Sequence, residues 1–208
     1  MLTGNGGNAY IGQNLFEIDN ATANIIGQVA IFDQSQGGNG QQGGSVFNVN
    51  PFTGLTGSLD IVLNSATINF TPDASGVAGI GGDFVTRGGN GVVRGGNAQG
   101  PNFNVTINQT NLAGGRLVVN PIIQGGDASD LNGIGGNALG SLVNIAVTNS
   151  QLTLPGETIF GANATGGLGG ANGSGGNATS GAVDATFTNA TINLVAGQQG
   201  APGALRVR

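Results

Sequence analysis

The chain has 208 residues and a formal charge of -5, from ten acidic and five basic side chains, with no His, Cys or Trp. Its cations are all arginines, Arg87, Arg94, Arg116, Arg206 and Arg208, and they form no basic cluster. This sets aside nucleic acid and membrane insertion as partners, since neither a concentrated basic surface nor a long apolar run is present; a disulfide framework is likewise set aside. Only 7% of residues are charged while 38% are hydrophobic, a balance that favours a packed chain over a disordered one.

The first signal along the chain is the tetrapeptide GGNA, which begins at residues 6, 95, 135 and 175. With a degenerate copy placed at Pro51, the chain reads as one repeat domain, 1–208, of five units of 40 to 45 residues. That length matches a stacked solenoid. Each unit then carries two short segments of alternating small or apolar residues: Phe16 and Ile18 with Ala21, Ala23 and Ile25; Ile61 and Leu63 with Ala66, Ile68 and Phe70; Val105 and Ile107 with Thr110, Leu112 and Gly114; Ile145 and Val147 with Ser150, Leu152 and Leu154; Ala185 and Phe187 with Ala190, Ile192 and Leu194. Period-two alternation predicts half-buried strands that turn one face to a shared interior. The inward phase slips by one residue between the two segments, beside Asn64 and Ser65, Asn108 and Gln109, Thr148 and Asn149, Thr188 and Asn189. Short polar side chains of this kind tolerate left-handed backbone, so a corner is predicted there.

Between the strand pairs, glycines recur every third residue, at Gly37, Gly40 and Gly43, at Gly76, Gly79 and Gly82, then Gly88 and Gly91, and at Gly167, Gly170, Gly173 and Gly176. Period three predicts polyglycine-II-type return legs packed so closely that only hydrogen fits on one edge. The expected fold is therefore all-β: a parallel β-solenoid with glycine-rich returns, built either as one large coil per unit or as two coils of about 20 residues.

The segments GGNALGSLVNIAVTNSQLTL and GGNATSGAVDATFTNATINL, each beside a glycine-rich spacer, resemble the β-strand repeats of filamentous-haemagglutinin-like and autotransporter-like bacterial surface proteins. The resemblance covers about residue 6 to residue 196. It implies an extracellular or cell-surface stalk, adhesin or fibre, and it carries over no catalytic residue. The opening MLTGNGG has neither a basic n-region nor an apolar h-region, which suggests a fragment, a mature form or another export route.

Without His, Cys or Lys the common nucleophile and base pairs have no members, leaving carboxylates. Asp60 and Asp184 share a repeat position, but Asn104 and Asn144 stand between them, so the close carboxylate pair of a glycosidase is not expected. The one tight acidic segment holds Asp127, Asp130 and Asn132 among glycines, a calcium candidate set against the simpler reading of a solvated turn. No other cofactor is expected. Eight N-x-S/T sequons, at Asn20, Asn69, Asn104, Asn108, Asn163, Asn172, Asn177 and Asn189, read first as turn and ladder residues.

A surface ladder is predicted from the outward positions of the second strand: Thr22 and Asn24, Thr67 and Asn69, Asn111 and Ala113, Gln151 and Thr153, Thr191 and Asn193. Stacked about 4.8 Å apart, these would make a flat, uncharged face. The expected function is a non-catalytic structural or adhesive protein that self-associates into a fibre or oligomer, or meets a glycan or host surface. The alternatives are a carbohydrate-binding or carbohydrate-cleaving β-helix and an ice-binding solenoid.

Overall fold

Residues equivalent in the repeat lie directly above one another. In the computed structural model, which describes residues 4–82, 84–197 and 202–208, Phe16, Ile61, Val105, Ile145 and Ala185 form one column, and Ile18, Leu63, Ile107, Val147 and Phe187 the next. The pairing is parallel throughout the sheets, so each repeat unit makes one turn, here a rung, of a parallel β-solenoid about five rungs high. All described regular structure is β. One large coil per unit is formed, because neighbouring strands are separated by a whole unit of sequence.

Six sheets run along the stack. In the order met along a rung, sheet A contains Ala9–Tyr10, Val46–Phe47, Ala98–Gln99, Ala138–Leu139 and Ala178–Thr179. Sheet B contains Gln13–Asp19, Ser58–Asn64, Asn102–Asn108, Leu142–Thr148 and Ala182–Thr188, and sheet C contains Thr22–Ile26, Thr67–Thr71, Asn111–Ala113, Gln151–Pro155 and Thr191–Val195. Sheet D follows with Gln28–Ala30, Gly79–Gly81, Arg116–Val119, Glu157–Phe160 and Ala204–Val207; sheet E has Asp33–Gln36, Phe84–Arg87, Ile122–Gln124 and Asn163–Thr165; sheet F pairs Gly40–Gln42 with Gly91–Arg94.

The corner between sheets B and C falls where the phase slip placed it. Asn20, Ser65, Gln109, Asn149 and Asn189 have φ of 48 or 49°, the left-handed region that short polar residues enter at least cost. The turn brings the inward residues of both sheets into one core, in which Leu59, Ile61, Leu63, Ile68, Phe103, Ile107 and Leu112 are essentially inaccessible to water. Burying each such side chain contributes roughly 1.5–3 kcal/mol. One rung holds too few of them to offset the ordering of about 40 residues at roughly 1 kcal/mol or more apiece, so stability is a property of the stack.

The glycines show the expected packing, in which only hydrogen fits at Gly37, Gly43, Gly170 and Gly173, but not the expected separate return legs. The residues around Gly79, Gly82 and Gly88 belong to strands of sheets D and E and their joints, with no separate glycine leg. Glycine pairs instead meet at a waist. Rungs 1 to 4 each leave sheet E through one pair (37–38, 88–89, 125–126, 166–167), make a small lobe, and lead on to sheet A of the next rung through a second pair (43–44, 95–96, 135–136, 175–176). The second glycine of each pair donates across the waist: Gly44 to Gly38, Gly89 to Gly44, Gly96 to Gly89, Gly126 to Gly96, Gly136 to Gly126, Gly167 to Gly136 and Gly176 to Gly167, at 2.8 or 2.9 Å. The first donates along the stack, as Gly88 does to the Gln124 carbonyl and Gly95 to that of Ile134. A β-carbon on Gly43, Gly88, Gly95, Gly125 or Gly135 would overlap the carbonyl oxygen of a glycine in the facing column.

The remaining letters of GGNA follow from the same geometry. The Asn137 N–H donates to Asn97 Oδ1 at 2.9 Å and the Asn177 N–H to Asn137 Oδ1 at 2.8 Å, so each asparagine side chain caps the backbone of the next rung. Ala98 and Ala138 pack with Ile123 in a small cluster next to the waist. This fixes rung 2 differently from the sequence reading: its copy of the motif is Gly43-Gly44-Ser45-Val46, since Val46 is in register with Ala9 and Ala98. Pro51 lies in an insertion closed by an antiparallel bridge between Val49 and Thr56. An insertion preserves strand register, and for that reason the strand spacing alone pointed to Pro51.

Rung 1 departs from the apolar pattern at two inward positions. Asn14 occupies the column of Leu59 and Phe103, and Asp33 the column of Phe84. Burial pushes the Asp33 carboxyl above its ordinary range, with the hydrogen bond from the Asn14 side chain pulling the other way. Asp33 Oδ2 is buried without a partner.

Candidate functional surface

Sheet C brings the predicted ladder together. Thr22, Thr67, Asn111, Gln151 and Thr191 form one rank and Asn24, Asn69, Ala113, Thr153 and Asn193 the other. Asn69 Nδ2 donates to Asn24 Oδ1 at 3.1 Å. With no charged side chain in either rank, the face offers hydroxyl and amide groups at the strand spacing of about 4.8 Å.

Two of the outward ranks of sheet B are linked by side-chain hydrogen bonds between rungs. In one, Asn64 Nδ2 donates to Asp19 Oδ1 at 2.7 Å and Asn108 Nδ2 to Asn64 Oδ1 at 3.0 Å; the rank continues with Thr148 and Thr188. In the other, Asn104 Nδ2 donates to Asp60 Oδ1 at 2.6 Å and Asn144 Nδ2 to Asn104 Oδ1 at 3.0 Å, and the next member is Asp184. Asp60 and Asp184 are thus three rung steps apart, about 14 Å at 4.8 Å per step, too far for paired-carboxylate glycoside cleavage. Beside Asn144 and Asp184 lies a shallow groove of about 360 Å³, bordered also by Thr106, Ala146 and Thr186. The repeat position of this rank was legible in the sequence. The direction in which its amides point was not.

The acidic segment sits in the lobe of rung 3. The Asp127 N–H donates to Asn90 Oδ1 at 2.9 Å, and Asp127 Oδ1 accepts the Leu168 N–H at 2.7 Å, so this side chain repeats the capping role of Asn39 and Asn90. Asp130 Oδ1 accepts the Leu131 N–H at 2.9 Å, and Asn132 is exposed in the adjoining turn. Among the described residues no group of three or more His, Cys, Asp and Glu side chains is placed to hold a metal. Asp127 and Arg87 border the same notch. The ion pair recorded among the described residues is elsewhere, between Glu157 and Arg206 of sheet D.

Of the sequons, Asn69, Asn104, Asn108, Asn163 and Asn189 spend their amide nitrogens on ladder bonds to the rung before. No described helix is long and apolar enough to cross a membrane. Comparison with protein-family models, curated proteins and solved structures finds no match.

Proposed function

We propose that this chain is a non-catalytic structural and adhesive element of the cell exterior, a stalk or fibre-forming segment whose long faces meet other molecules. The observation that supports this most is the set of outward ranks on sheets B and C. The ranks of sheet C and the Asp19 rank of sheet B run over five rungs and the Asp60 rank over four; they are composed mainly of Thr, Asn and Gln and lie on a framework whose geometry is fixed by interlocked backbone. Rigid elements that repeat one surface suit association and adhesion, where many weak contacts add by avidity. Self-association is the partner expected first, and a glycan-bearing surface second.

Electron microscopy of the purified protein across a range of salt concentrations tests the scaffold reading: filaments or ordered oligomers are expected, and dispersed monomers throughout would oppose it. A reducing-sugar release assay on neutral and acidic polysaccharides tests the competing reading of a carbohydrate-cleaving β-helix. Turnover that vanished on replacing a single Asp would decide for the enzyme.

The carbohydrate-binding reading has its own support in the groove beside Asn144 and Asp184. Its border combines amide, carboxylate and hydroxyl side chains with the methyl group of Ala146.

A further inference from the structure

The outward rank Asp60, Asn104, Asn144, Asp184 is closed by side-chain hydrogen bonds at one end only, and the exposed Asp184 at the other end is left to solvent. A side-chain amide has one carbonyl and one amino group, so a row of asparagines in a parallel ladder donates in a single direction. Here the donation runs toward Asp60, which receives Asn104 Nδ2 on Oδ1 and the Ser58 hydroxyl on Oδ2 at 2.9 Å. At the other end the amino group of Asn144 is turned to Asn104, leaving its carbonyl on the side of Asp184. Two acceptors therefore stand on adjacent rungs with no donor between them.

Asp184 lacks the second donor as well, because the position of Ser58 is taken by Ala182 in rung 5. No side-chain hydrogen bond to Asp184 is made among the described residues. The neighbouring rank supplies the contrast. It begins with Asp19 and two asparagines oriented the same way, but ends in Thr148 and Thr188, whose hydroxyls are able to donate. Of these two hydrogen-bonded ranks, the one that ends in a carboxylate borders the groove of about 360 Å³, beside the rank of Thr106, Ala146 and Thr186.

We infer that this groove is a saccharide subsite in which Asn144 Oδ1 and the Asp184 carboxylate accept hydrogen bonds from two neighbouring hydroxyl groups of one pyranose ring. The groove is much larger than a bare cation requires and falls in the size range of small-ligand sites. Its floor at Ala146 is a methyl group, flanked by the side chains of Thr106 and Thr186, which matches a sugar's mixture of C–H and hydroxyl surface. A carboxylate acceptor makes the stronger of the two bonds. This inference rests on the adhesive half of the proposed function and names its ligand chemistry; the scaffold half stands or falls separately by microscopy.

The test is titration of isotopically labelled full chain with the methyl glycosides of glucose, galactose, mannose and N-acetylglucosamine, followed by amide NMR shifts. At least one glycoside is expected to move the signals of Asn144, Asp184 and Thr186. Asp184→Asn extends the row of amides and supplies the missing donor, so the variant is expected to melt at a higher temperature while binding about tenfold more weakly. Ala146→Leu fills the floor and is expected to abolish binding with the melting temperature little changed. Shifts centred on another face would overturn this site and leave glycan adhesion standing, whereas no shift with any glycoside would overturn the saccharide subsite and leave self-association to be judged by microscopy. Calcium or magnesium alone moving the same signals, with the sugars inert, would overturn the saccharide assignment, as would an Asp184→Asn variant that is destabilised and binds undiminished.

Discussion

The amide of Gly96 donates to the carbonyl oxygen of Gly89 at 2.8 Å, across the waist between the rung's departing and returning chain. The same oxygen occupies the place where a β-carbon of Gly126, one rung further on, would lie. Two requirements thus converge on one atom. It must accept a hydrogen bond, and nothing larger than hydrogen fits against it from the next rung.

Gly126→Ala is accordingly expected to destabilise the fold by about 1–3 kcal/mol, the usual range for forcing bulk into a close-packed interior. Gly175→Ala is the matched control, since its β-carbon would come no closer than 3.4 Å to the Gly167 carbonyl oxygen; a change within about 0.5 kcal/mol is expected. Denaturant unfolding of both variants measures the difference. Equal costs would mean that the waist is not held as described.

Asn97→Ala removes the acceptor for the Asn137 N–H and is expected to cost about 1 kcal/mol, the typical net worth of such a bond. Asn97→Ser should recover part of the loss, because Ser45 already fills this role toward the Asn97 N–H at 3.1 Å. Thermal melts of the two variants give the ranking.

At the corner, Asn149 has φ of 49° and its Oδ1 accepts from Asn189 Nδ2. Asn149→Val places a β-branched residue in left-handed backbone, with an expected cost of about 1–2 kcal/mol. Asn149→Gly relieves the backbone and loses only the side-chain bond, so it should fall between wild type and the valine variant in a denaturant series.

Asp33 gives stability a pH dependence of definite sign. Its carboxyl titrates above the ordinary value of 3.8 because burial disfavours the charged form. The folded chain therefore holds this proton over a window in which the unfolded chain has lost it. Asp33's contribution is fully present below pH 3.8 and declines as pH rises through the raised folded value. Asp73 acts in the opposite sense: the Ser75 hydroxyl, then the Val77 N–H, hold its carboxyl below the ordinary range, so its contribution is lost on acidification. Comparing Asp33→Leu with wild type isolates the first effect. The variant's advantage in melting temperature is expected to grow from pH 4 toward neutrality, and a constant or shrinking advantage would count against the inward placement of this carboxylate.

Legibility in the sequence tracked the range of the interaction involved. Ile61 and Leu63, or Ile145 and Val147, announce a buried strand face through alternation alone, and all of them are buried. Ser65, Gln109 and Asn149 announce a corner because the phase slips beside them, and each takes up positive φ. The ladder from Thr22 to Asn193 followed from adding the repeat length to those local signals. Gly88 showed only a three-residue phasing, and Gly89 not even that. Their partners, Gly38, Gly44 and Gly96, lie in other rungs or in the opposite column, and glycine phasing within the chain carries no record of what approaches from outside it. The misplaced second unit has a similar origin: the insertion at residues 48–57 adds length on one side of the rung and leaves the strand register intact.

By itself, then, the sequence determined the parallel β-solenoid, its large repeat, its corners and its predicted outward ladder, because alternation and backbone preference are properties of neighbouring residues. Only the tertiary structure decided the glycine waist, the asparagine caps between rungs and the pair of solvent-facing acceptors at Asn144 and Asp184. Each of these depends on which atoms of separate rungs are pressed together and which way a side-chain amide must turn once its neighbours are in place.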